Sequence, residues 1–233
     1  MIEINVGDSA PLLLKIVNHS LNLLLITEWL MEPENENIPA QREGIKTDTV
    51  SSIKHRSEKE AIEHFLIVKA RLLNISEWDK VCGKASAVFK LTDADGNPVN
   101  RKPIRGDHIR IDLPAPKTDE GDGFEWVMIE QVDDQSGSSN EEYLSIKVHP
   151  ADNPLNNKEA VAHFFEPETS STFVVKRNKS TIQAEVHGRN EMPNTHTDSV
   201  WGRIRNMIVA AGAMLGVSKL QWKSLVEGLI KKS

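Results

Sequence analysis

Residues 172–187, TFVVKRNKSTIQAEVH, decide the fold. Thr172 to Arg177 and Thr181 to His187 are two runs rich in β-branched residues, and Asn178 and Lys179 stand between them. Asn tolerates the left-handed backbone that a tight connection requires, so the stretch predicts a β-hairpin. In the second run Ile182, Ala184 and Val186 alternate with Thr181, Gln183, Glu185 and His187. A strand that is apolar on one face and polar on the other belongs in an antiparallel sheet packed on one side.

The same period continues upstream. Ala85 to Leu91, His108 to Leu113, Phe124 to Val132 and Tyr143 to Val148 each suit a half-buried strand. Asp93, Ala94, Asp95, Gly96 and Asn97 follow the first of these, with an Asp-Gly pair that marks a turn. Alternate oxygen-bearing side chains here suggest a calcium loop, but its closing glutamate position holds Ile104, and the turn explains the pattern. The expectation is an α+β protein with about six strands in an antiparallel β-sheet or small β-barrel, flanked by N-terminal and C-terminal helices.

Helix signals lie on both sides of this region. Ser57 and Glu60 form a capping box ahead of Ile62, Phe65, Leu66, Leu72 and Leu73, and Ser76 with Asp79 caps a short turn holding Trp78 and Val81. Thr197, Asp198 or Ser199 can cap a helix to about Val217, and Ser218 a second through Trp222, Leu225, Val226, Leu229 and Ile230. Residues 11–31 are so apolar that a helix and a pair of strands both fit. The chain divides at the change of period: residues 1–82 as an N-terminal helical region with a polar linker at 32–56, and residues 83–233 as the sheet or barrel under C-terminal helices.

Composition narrows function. A net charge of −6 with 5 % aromatic residues argues against nucleic-acid binding, which needs a cationic surplus or a stacking platform. One cysteine, Cys82, forms no internal disulfide, and Glu3 and Asp8 precede the first apolar run where a secretory signal would be basic. Met207 to Val217 is shorter than the roughly 20 residues needed for a membrane span. A soluble, cytoplasmic protein follows. There is no glycine-rich phosphate loop, GxSxG elbow, HExxH or paired-cysteine site, so the sequence leans away from an enzyme and implies no cofactor and no metal.

Three functions remain. The first is a non-enzymatic protein-protein interaction or scaffold module, which binds a protein partner or self-associates through the small-residue face at Gly212 and Gly216, with Trp201 and Trp222 as anchors. The second is a carrier in which a helix-capped sheet encloses a small apolar ligand among Phe124, Trp126, Phe173 and Met214. The third is a metal-dependent hydrolase using His187, Glu191 and His196 in the polar segment after the hairpin. His149 with Pro150 and Asp152, and His163 with Glu166 and Glu168, supply further proton-handling or metal-binding candidates.

Overall fold

The computed structural model describes residues 37–83, 87–112, 124–137, 140–155, 168–192 and 221–232. Seven strands form one antiparallel sheet: β1 (Ile45–Lys54), β2 (Val88–Thr92), β3 (His108–Asp112), β4 (Glu125–Gln135), β5 (Glu141–Pro150), β6 (Ser170–Asn178) and β7 (Thr181–Glu191). Between β1 and β2 lie helix α1 (Glu58–Leu73), a 3-10 turn (Ile75–Glu77) and the short helix α2 (Trp78–Cys82). Residues 221–229 are helical and are called α3. Among the described residues no helix is long and apolar enough to cross a membrane.

The strand order is β1-β7-β6-β5-β4-β3-β2, so β1 and β2 are the free edges and the sheet is open. The barrel alternative is thereby corrected. Closure would need β2 to offer its outer edge to β1, but the Leu91 N–H donates to Ser76 Oγ (3.1 Å) and the Leu91 carbonyl accepts from the Val99 N–H (3.1 Å). An edge whose main-chain groups are already bonded gives another strand nothing to pair with.

The 172–187 hairpin is present, with Asn178 paired to Thr181 as the closing pair. The tip is therefore Lys179 and Ser180, one residue later than expected, and Lys179 takes the positive φ of 51°. Its N–H is held by the Asn140 carbonyl at 2.9 Å, a tertiary bond that the local sequence does not announce.

Residues 45–54, within the expected polar linker, form strand β1, paired with β7 from Ile45↔Glu191 to Lys54↔Thr181. The sequence hides this strand because its apolar residues are few and Ile45 and Val50 stay exposed. Main-chain pairing holds it in place. Both β1 and α1 pack against strands of the region after residue 83.

One face of the sheet carries the core. Ile182, Ala184 and Val186 of β7 lie beside Phe173 and Val175 of β6, Leu144, Ile146 and Val148 of β5, and Ile129 of β4. On α1, Ser57 Oγ accepts the Glu60 N–H, and Ala61, Phe65, Val68 and Leu72 face the sheet. Ile62 and Leu66, also apolar in the sequence, face outward. Two stripes competed for the core side, and only one could win. From α3, Leu225, Val226, Leu229 and Ile230 enter the same core. Trp78, Phe89, Phe173 and Trp222 meet in edge-to-face and tilted contacts with centroids 4.8–6.3 Å apart. Contacts of this kind contribute about 0.5–1.5 kcal/mol each beyond the area they bury.

Candidate functional site

The opposite, outer face of the sheet is polar and yet largely buried. Because side chains alternate, the register sets Met128 between His108 on β3 and His149 on β5. The register of β4 against β5 shifts between Ile129 and Gln131, leaving Glu130 as an extra residue, and its carboxylate receives Lys147 Nζ at 3.0 Å. A bulge re-aims a side chain in this way.

These residues line a cavity of about 770 Å³ together with Pro39, Pro150, Ala151, Asp152, Pro154, Glu168, Thr169 and Ser170. Its volume lies in the range of about 300–1,000 Å³ typical of small-molecule sites. Two polar atoms on its wall, His108 Nδ1 and Ser170 Oγ, are buried and make no hydrogen bond. A buried polar atom without a partner costs roughly 1–3 kcal/mol, a penalty that a ligand can relieve.

Burial holds the His108 imidazole below its usual pKa, against the opposing pull of the Asp93 main chain and of Asp107 and Asp93 charges. The ring is therefore neutral near pH 7. The His149 Nδ1–H donates to the Pro150 carbonyl at 2.9 Å. The Thr169 hydroxyl is engaged with the Asn190 carbonyl at 2.8 Å, which leaves Ser170 as the hydroxyl open to a ligand. Of the carboxylates that line the cavity, Glu130 is paired with Lys147, and Glu168 adds a further negative charge that disfavours an anion.

The candidates drawn from the sequence are dispersed. His187 sits on the outer face with both ring nitrogens occupied, Nδ1 by Asp48 Oδ1 at 2.6 Å and Nε2 by Glu185 Oε2 at 2.8 Å. Arg189 bonds the same Asp48 oxygen at 2.7 Å, and Lys176 pairs with Glu185 at 2.8 Å. Burial alone would raise both carboxyls, but these hydrogen bonds and charges outweigh it and hold Asp48 and Glu185 below the usual carboxylate range. With every partner satisfied, the cluster has the character of a structural network.

Glu191 lies on the other side of the sheet. Asn190 takes a positive φ of 54°, and a Cβ on Gly188 would run into Thr47 Oγ1 and the Glu191 carboxyl. Gly188 shares the face of Val186, so the Glu191 carboxyl occupies the room that this glycine leaves on the helix side. Burial raises its pKa, against the pull of Thr47 and Arg189. His187 and Glu191 thus do not meet, and His196 is outside the described residues. Among the described residues no three His, Cys, Asp or Glu side chains converge as a metal site. Burial pushes the Cys82 thiol up to about 11, so it is no nucleophile near neutral pH.

Of the apolar ligand candidates, Phe173 belongs to the filled aromatic cluster, whereas Trp126 lies on the outer face opposite Arg110. Phe124 stacks under the Arg110 guanidinium at 4.6 Å, and Met214 falls outside the described residues. Trp222 packs inside its own chain against Phe89 and Phe173, while Trp201, Gly212 and Gly216 are likewise outside the described residues. His149, Pro150, Asp152 and Glu168, singled out in the sequence, do reach the cavity; His163 and Glu166 lie beyond the described part. His108 and Ser170 carried no local signal, because each begins a strand of unremarkable pattern.

No family model matches the sequence, and no curated protein matches it. Similar solved structures include ginseng major latex-like protein 151 from Panax ginseng, at 11 % identity over 76 % of this chain and 99 % of that one, with a TM-score of 0.32. A START superfamily protein from Mycobacterium smegmatis is similar at 10 % identity over 80 % and 99 % of the two chains, TM-score 0.34. A protein from Arthrobacter aurescens is similar at 9 % identity over 82 % and 91 %, TM-score 0.37.

Proposed function

We propose that the protein binds a small amphipathic molecule, neutral or cationic, in the outer-face cavity, and that it is a binding protein and not a scaffold. The observation that carries this is the pair of buried, unbonded polar atoms, His108 Nδ1 and Ser170 Oγ, on the wall of a 770 Å³ cavity. A neutral His108 with Nδ1 unbonded offers one hydrogen-bonding position there, which selects a ligand with a complementary polar group. Met128, Pro39, Pro150, Ala151 and Pro154 give the ligand an apolar wall. The carboxylate excess supports the charge preference. A reducing compartment such as the cytoplasm suits the single free thiol.

The test is NMR screening of the intact protein with fragments that pair an apolar ring with an amine or hydroxyl. Hits are expected to shift His108, Met128 and Ser170 together, and Ser170→Ala is expected to weaken them about five- to tenfold, the worth of one hydrogen bond. If fragments move none of these resonances, or if anionic fragments bind best, the proposal is wrong.

A further inference from the structure

On the helix side of the sheet, two histidines are bonded to one another. His55 follows β1, with its N–H bonded to the Ser180 carbonyl at 2.8 Å, and His64 lies in α1. Both are buried. His55 Nε2 and His64 Nδ1 are 3.0 Å apart, so one nitrogen carries the hydrogen and the other accepts it. His64 Nε2 is buried and unbonded, with the Lys231 main chain facing the ring without completing a full hydrogen bond.

The same spot is where residues 229–231 are held. Arg71 of α1 donates through Nη1 to the carbonyls of Leu229 (2.9 Å) and Lys231 (2.6 Å), groups that the C-terminus of a helix leaves unsatisfied. We propose that His55 and His64 form a proton-operated latch, which ties the C-terminal segment 221–232 to α1 while the pair shares one hydrogen and releases it when both rings are protonated.

The charges around the pair set the direction. His55 faces Glu60, whose carboxylate is 3.9 Å from Nδ1, and the Lys232 ammonium; His64 faces Arg71, Lys232 and the Lys231 main chain. A first proton on His55 can use Glu60 as counter-charge. A second proton places two N–H donors against each other across 3.0 Å, beside two further cations, and no acceptor is left between them. The rings can both charge only by separating, and the segment that can leave is the one Arg71 holds by its last carbonyls. Burial, with the nearby Lys232, depresses both imidazoles in the folded state.

The sign follows from linkage. Each histidine would bind its proton at its ordinary 6.5 once released but resists it when latched, so closure weakens as pH falls below 6.5 until the depressed folded values are reached. The open population should rise about tenfold per pH unit for one proton and about a hundredfold for two. Opening withdraws Trp222 from Phe89 and Phe173.

Hydrogen exchange on the full chain, corrected for intrinsic rates, tests this from about pH 7.5 to about pH 5, where histidine is the side chain that ordinarily titrates. Protection in residues 221–232 is expected to fall more than tenfold per unit below pH 6.5 while β6 and β7 keep theirs, and in H64L, which leaves His55 as the one titrating ring of the pair, the decline should shrink to about tenfold per unit or less. Should H64L not fold, NMR titration of the wild-type imidazoles decides: His55 and His64 must titrate below 6.5 in step with the lost protection. Unchanged exchange with pH, parallel loss in β6 and β7, or ordinary titration of both rings overturns the latch.

Discussion

The two faces of the sheet solve the same problem differently. On the helix side, Phe173, Trp78, Phe89 and Trp222 close over one another, and dispersion and burial do the holding. On the outer side, Asp48, Glu185, His187, Arg189 and Lys176 hold each other through directed bonds, and a short distance away His108 and Ser170 are left without partners. A face made of apolar volume tolerates no gap, whereas a polar face can be complete in one part and open in another. The open part is where a ligand adds something the chain lacks.

Phe173→Ala should break the helix side outright, with a loss of about 3–5 kcal/mol in chemical denaturation, since a ring is removed from a packed cluster and leaves a cavity.

Two carboxyls sharpen the comparison by moving in opposite directions. Glu125, opposite Ile111 at the end of β4, has its carboxyl pushed up to about 7 by burial alone, whereas the network holds Glu185 below the usual range despite its burial. Glu125→Gln should therefore stabilise the protein by about 1–3 kcal/mol at pH 8, and the gain should fade as pH falls through about 7 toward 4.5, where the unfolded chain also becomes protonated. Glu185→Gln should cost about 1–3 kcal/mol at neutral pH, because a charged hydrogen-bond acceptor is lost. That cost is present above 4.5 and disappears as pH drops through the depressed folded value. Urea midpoints across pH read both.

Gly228→Ala should lower stability by about 1–3 kcal/mol through overpacking. A methyl there points into the Val81 carbonyl, so α3 must lift from α2. A neutral result by thermal denaturation would mean that the two helices do not press together. The smallest loss belongs to Ser170→Ala, which is expected to cost nothing and to stabilise by up to about 1–3 kcal/mol, because the buried hydroxyl it removes has no partner to lose. A large loss there would mean the hydroxyl is bonded, and the cavity would lose one of its two free groups.

The hairpin was legible in residues 172–187 because alternation and a turn are local properties, and α1 announced itself through Ser57 and Glu60 for the same reason. Strand β1 was not, since its stability comes from pairing with β7 and not from its own apolar content. His149, Asp152 and Glu168 stood out as polar residues beside turns, but nothing in the sequence tied them to His108, about forty to sixty residues away.

What the amino-acid sequence determined by itself was period: where side chains alternate, where a helix is capped, and that an antiparallel sheet must result. The tertiary structure alone decided which stripe of α1 turned inward, that the sheet stayed open, and which polar atoms were buried without partners. Those outcomes depend on register between strands distant in the chain and on the space neighbouring elements leave, and no local pattern encodes either.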